Sequence, residues 1–130
     1  MNKKFALSIV RKQYEEEVEK NRKFQYIRKF FDMSKKGEYT IDDDTWSDMD
    51  MDSVYEKLDR TNSTLGESAL YYMLRNPLKD EESLKKRDKL IEVFKNNSNL
   101  REKLLCIFFE LSIDAKNTFL DMIERIYFIH

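Results

Sequence analysis

From about Phe5 to Lys36 the chain contains neither glycine nor proline and is rich in good helix formers, which predicts one long helix. At 1.5 Å per residue such a helix would reach roughly 45 Å. Its ends are apolar, with Phe5, Leu7, Ile9 and Val10 first, then Phe24, Tyr26, Ile27, Phe30 and Phe31. Its middle, "RKQYEEEVEKNRK", offers only Tyr14 and Val18 as apolar residues. A segment of that kind projects into solvent or leans on a partner through a narrow seam. Coiled-coil pairing stays open, although charge interrupts the three-four spacing.

Gly37 is expected to end this helix. The acidic stretch "SKKGEYTIDDDTWSDMDMDS" then reads as a loop anchored by Trp46, leading into a short helix, "DSVYEKLDR". "TLGE" matches a capping box with Thr64 as N-cap and Glu67 at the third helical position. The helix that follows is expected to bury Leu65, Ala69, Leu70, Met73 and Leu74, and Pro77 stops it near Asn76. Gly66 inside that helix costs about 1 kcal/mol relative to alanine, so a close backbone approach by a neighbouring helix is expected there. Asp80 caps the next helix, with two glutamates in its first turn where the helix dipole favours them. Asn97 or Ser98 opens another, whose Leu100, Leu104, Ile107, Phe108 and Leu111 keep helical spacing, and a last helix starts at about Asp114. The sum is an all-α fold, an irregular bundle of five or six helices. Residues 1–36 form the long N-terminal helix and residues 37–130 a helical region whose apolar end, "MIERIYFIH", looks cut.

Composition narrows the chemistry. Two glycines and one proline in 130 residues leave too few turn residues for a sheet protein. Lys+Arg 24 against Asp+Glu 25 gives a net charge of −1, which argues against a free-standing nucleic-acid binder. The single cysteine, Cys106, sits in "LLCIFFEL" and reads as a buried thiol in a reducing, cytoplasmic setting. No run of 18 apolar residues predicts a membrane span. The only histidine is His130, so no zinc site, Cys–His pair or Ser-His-Asp triad can be assembled. With Gly37 and Gly66 alone there is no G-x-x-x-x-G-K-[ST] and no G-x-G-x-x-G. An EF-hand alignment on Asp48, Asp50 and Asp52 puts Ser53 where glycine is needed and Asp59 where a bidentate glutamate belongs, so the acidic stretch reads as solvated loop and helix starts. Arg87 shares a helix face with Leu84, Ile91 and Phe94, and it either snorkels to water or is clamped by a carboxylate or helix-end carbonyls.

Read as one string, "LDRTNSTLGESALYYMLRNPLKDEESLKKRDKLIEVFKNNSNLREKL" resembles the core-domain segment of the MutS family of DNA mismatch-repair ATPases. The resemblance rests on Leu58, Asp59, Arg60, Thr61, Thr64, Gly66, Leu70, Leu74, Arg75, Pro77, Leu78 and Arg87, and it covers about Ile41 to Leu111. The preceding "IDDDTWSDMDMDSVYEKL" is similar to the shorter, non-standard MutS-like proteins. The resemblance implies a helical hub that anchors the lever helices and couples DNA-contacting parts to a C-terminal ATPase domain, doing no chemistry itself. It implies structural and coupling roles for Asp59, Arg60, Thr61, Thr64, Gly66, Arg75, Pro77, Leu78 and Arg87. ATP and Mg²⁺ belong to the full-length parent, expected to be a homodimer that contacts DNA, while this chain alone holds neither catalytic site nor cofactor. The mismatch-reading Phe-x-Glu of main-branch members finds only Phe108-Phe109-Glu110, inside an amphipathic helix where Phe108 is expected to be buried. The alternative is a self-contained helical interaction module with no DNA role.

Overall fold

The structure, a computed structural model, describes residues 2–114. The expected last helix and His130 lie outside the described residues. Eight helical segments follow one another: α1 (Lys3–Glu15), α2 (Phe24–Ile27), α3 (Lys29–Met33), α4 (Asp43–Asp48), α5 (Met51–Leu58), α6 (Thr64–Arg75), α7 (Glu81–Asn96) and α8 (Ser98–Asp114). No strand occurs among the described residues, and the fold is all-α.

The long N-terminal helix does not form. Residues 16–23 run without helix between α1 and α2, and α1 lies against α8 instead of projecting. Ala6 and Val10 are buried, Arg11 grips Glu102 with two parallel bonds of 2.7 and 3.0 Å, and the Arg101 guanidinium sits 4.1 Å from the Tyr14 ring centre. The expected acidic loop holds a helix of its own, α4, because Asp42 caps it by accepting from the Thr45 amide and two aspartates fill its first turn. These changes produce eight segments among the described residues, where the whole chain was expected to hold five or six helices.

The core is aromatic. Ile27, Phe31, Trp46, Met51, Tyr55 and Tyr71 form its buried centre, with Phe24, Ile41, Leu70, Tyr72 and Leu74 packed around it. Tyr71 is its middle: ring centres lie 4.8 Å away at Trp46, 5.9 Å at Phe31 and Tyr55, and 6.5 Å at Phe24. Tilted and edge-on pairs of this kind contribute about 0.5–1.5 kcal/mol each beyond the area they bury. Trp46 anchors its segment as expected, donating from Nε1 to Asp52 at 2.8 Å.

Three of the expected helix ends follow local chemistry, and two do not. Asp80 caps α7 through the Ser83 amide, Asn97 accepts from the Leu100 amide at the start of α8, and α6 stops at Asn76 just before Pro77. The cap of α6, however, is Ser63 and not Thr64: Ser63 Oγ accepts from the Gly66 amide at 3.0 Å, and Glu67 turns away to Lys20. Gly37 ends no helix; α3 stops at Met33, and Gly37 opens a turn closed by Thr40.

Two expected faces are also corrected. On α6 the buried residues are Ser68, Tyr71 and Arg75, while Leu65, Ala69 and Met73 are exposed and Leu70 and Leu74 half-buried. The helix is rotated so that Tyr71 enters the aromatic core. On α8 the spacing is helical, yet Leu100, Ile107, Phe108 and Leu111 are exposed, as are Leu84, Leu90, Ile91 and Val93 on α7. Cys106 is half-buried on α8, and burial pushes its thiol up.

Candidate functional site

Two charge centres, one near each end of α6, hold Asp59, Arg60, Thr61 and Arg75 of the polar residues that the sequence singles out. The first is built on Asp59, the residue after α5, whose side chain is fully buried. One of its carboxylate oxygens accepts from the Thr61 hydroxyl at 2.6 Å and the Thr61 amide at 3.0 Å, which folds residues 59–61 into a tight turn. The other faces Lys20 Nζ at 2.8 Å and Arg22 Nε at 2.9 Å, both from the non-helical stretch before α2. Lys20 also reaches the Thr61 carbonyl at 3.0 Å and Glu67 at 3.0 Å. Arg22 Nη2 turns back to its own stretch of chain, donating to the Val18 carbonyl at 3.2 Å.

Burial alone would push the Asp59 carboxyl up. Hydrogen bonds from Lys20 and Thr61 outweigh it and hold the group below the ordinary carboxylate value. The Asp59 carboxylate therefore stays ionised across the neutral range, and its contribution to stability is lost only as pH falls below that ordinary value of about 3.9.

Arg60 points the other way. Its Nη1 donates to the carbonyls of Gln13, at 3.1 Å, and Glu16. These are orphan carbonyls at the end of α1, where a cation also suits the helix dipole. Asp59, Arg60 and Thr61 thus join three pieces of chain: the end of α1, the stretch before α2, and the start of α6.

Gly66 belongs to the same centre. The expected neighbouring helix is absent; a Cβ on Gly66 would meet Thr61 Cβ at 3.0 Å and Ser63 Oγ at 3.2 Å. Thr61 cannot yield, because Asp59 and Lys20 hold its amide, hydroxyl and carbonyl. Gly66→Ala is therefore expected to destabilise the fold by about 1 kcal/mol, although helix propensity alone predicts a gain of similar size. Chemical denaturation of the two proteins checks the sign.

The second centre surrounds Arg75, which is fully buried at the end of α6. Its Nε and Nη2 donate to the Tyr71 hydroxyl at 3.1 and 2.9 Å, Nη1 to the Ile41 carbonyl at 2.8 Å, and Nη2 also to Asp43. The guanidinium lies 4.5 Å from the Phe31 ring centre and 4.6 Å from that of Trp46. Asp43 is shared with Arg28, and hydrogen bonds from Arg75 and Arg28 hold its carboxyl low. Burial pushes the Tyr55 hydroxyl up, keeping it a donor to the Glu67 carbonyl at 3.0 Å.

The remaining singled-out positions join neither centre. Thr64 is the first residue of α6, Pro77 is exposed, Leu78 is half-buried, and Arg87 is half-buried on α7 with no ion pair among the described residues. The EF-hand positions have structural duties: Asp48 closes α4, Asp50 takes the left-handed conformation at φ 49° between α4 and α5, and Asp52 holds Trp46. No cluster of potential metal ligands occurs among the described residues. Lys20, Arg22, Asp43 and Tyr71 were not legible as partners, since nothing in "EVEKNRK" or "DDDTW" distinguishes them from neighbouring charges.

A cleft of about 500 Å³ opens beside Asp59, lined by Lys20, Arg22, Lys57 and Arg60 together with Glu17, Glu19 and Glu56. Lys20, Arg22 and Arg60 face carboxylates or carbonyls of the same chain, and the lining contains no serine, threonine, cysteine, tyrosine or histidine. What the arrangement does chemically is hold segments together by charge-assisted hydrogen bonds. No family model, curated protein or solved structure matches this chain. No described helix is long and apolar enough to cross a membrane.

Proposed function

We propose that this chain is a non-catalytic helical hub, the lever-anchoring core of a MutS-like, DNA-linked ATPase. In this reading it passes motion between DNA-contacting parts and an ATPase domain located elsewhere in a cytoplasmic, homodimeric parent. The observation that supports it is the use made of the resemblance positions: Asp59, Arg60, Thr61 and Arg75 tie separate segments to the two ends of α6. Residues in such joints transmit displacement, because a buried ion pair tolerates little change of geometry. The two glycines make no phosphate-cradling loop, which supports placing ATP and Mg²⁺ elsewhere in the parent. Gly66 is helical with its amide on Ser63, the Gly37 amide is on Thr40, and no glycine has the positive φ of a phosphate-cradling loop.

Titration calorimetry of the chain with Mg-ATP, and separately with duplex DNA at low salt, is expected to give no submicromolar binding. Such binding to either ligand would overturn the reading of a non-catalytic hub. A coding frame that closes at His130 with no P-loop would remove the MutS-like parent. A second reading, a self-contained interaction module, is favoured by the exposed apolar residues of α7 and α8, among them Leu90, Ile91, Ile107 and Phe108. Sedimentation separates the two, since the module would associate without any nucleotide or DNA.

A further inference from the structure

We propose that residues 16–23 are a two-state strap, non-helical while the Asp59 turn holds it and helical when that hold is released, so that α1 and α2 become one continuous helix. The proposal rests on the contacts of this segment and does not depend on the MutS-like reading.

Local chemistry favours helix through the strap. It contains no glycine or proline, and six of its eight residues are Glu, Lys or Arg. In a helix Glu16 would face Lys20, and Glu19 would face Lys23, each in the favourable order of acid before base. Neither end carries a local stop. α1 ends on Glu16 without a glycine, and α2 starts after Lys23 with no side-chain cap.

Everything that breaks the helix comes from residues 59–67. Arg60 occupies the Gln13 and Glu16 carbonyls, which in a continuous helix would accept from the amides of Glu17 and Lys20. Lys20, the helical partner of Glu16, is held instead by Asp59, Glu67 and Thr61. Arg22 is held by Asp59 while its guanidinium bonds the Val18 carbonyl, which a helix would assign to the Arg22 amide. The amides of residues 17–23 donate no backbone hydrogen bond in the non-helical state. Lys20 and the Gln13 and Glu16 carbonyls thus have a partner in either state, one local and one tertiary, which is the condition for a bistable element. Eight residues span roughly 12 Å as helix and can reach roughly 26 Å when fully extended, so leaving the helix lets α1 sit differently relative to α2.

Hydrogen exchange on the full chain tests this. In Asp59→Asn the amides of residues 17–23 are expected to exchange about tenfold more slowly than in the parent chain, while α6 stays protected. Adding Asn21→Pro to that variant should abolish the gain, as a proline inside a helix must. If α6 is protected and residues 17–23 remain as fast as in the parent, the strap has no helical state and the proposal fails. Where Asp59→Asn loses protection throughout, the decision passes to Glu17→Ala with Asn21→Ala, two exposed strap residues that leave Asp59 intact. Better helix propensity should shift the balance about fivefold towards helix. Slower exchange at the strap then supports the proposal, and unchanged exchange overturns it.

Discussion

Arg75→Lys is expected to cost about 3–5 kcal/mol of folding stability, more than the neutral Arg75→Met, although only lysine keeps the charge. The guanidinium makes four hydrogen bonds at once, to the Tyr71 hydroxyl twice, the Ile41 carbonyl and Asp43, and presents flat faces to Phe31 and Trp46. An ammonium has no plane to stack, and its three protons cannot reach the same acceptors from one point. It would be left as a partly unpaired charge in an aromatic pocket. Methionine has similar length, brings no charge to desolvate, and its thioether suits aromatic surroundings. Asp43 tolerates the loss of its partner because it is 65% exposed and keeps Arg28. Methionine still leaves the Ile41 carbonyl and Tyr71 hydroxyl short of a donor, so about 1–3 kcal/mol is expected for it. Denaturant midpoints of the two variants decide the order. A milder effect of lysine would mean that the charge, and not the planar fork, is what the site uses.

Tyr71→Ala is the second large effect, about 3–5 kcal/mol, against a total that for a domain of this size is only about 5–15 kcal/mol. Its ring touches the rings of Phe24, Phe31, Trp46 and Tyr55, so truncation opens a cavity where α2, α3, α4, α5 and α6 meet. It also removes the acceptor of two Arg75 donors. Tyr71→Phe separates these losses, keeping the packing and forfeiting only the acceptor, at about 1–3 kcal/mol. Thermal unfolding of both proteins measures the difference. Equal loss in the two would show that the ring contributes nothing beyond its hydroxyl.

The contrast between α7 and the N-terminal stretch explains what could be read from the chain. Asp80, Asn97 and Pro77 act within four residues of themselves, and the boundaries they set were legible. The break at residues 16–23 was not, because Asp59, Arg60 and Thr61 impose it from 37–47 positions away. No periodicity of the strap itself records it. α6 failed differently. "TLGESALYYMLR" has apolar residues all round, so spacing alone cannot choose a face. The face is chosen by Tyr71 and by Arg75, a residue that propensity places in water and that only Phe31, Trp46, Ile41 and Asp43 make acceptable inside. The resemblance names Asp59 but carries no sign of its partners, since Lys20 and Arg22 lie outside the segment it covers.

The pairing of α1 with α8 also sets an order in time. Arg11 and Glu102 are 91 residues apart. At roughly 5–20 residues per second, about 5–18 s of synthesis separate their appearance. The aromatic core and the Asp59 turn need nothing beyond α6, so their pieces are complete while Ala6 and Val10 still face water. For those seconds the first helix made is tied only at its far end, through Arg60, and waits for α8 to cover its buried face.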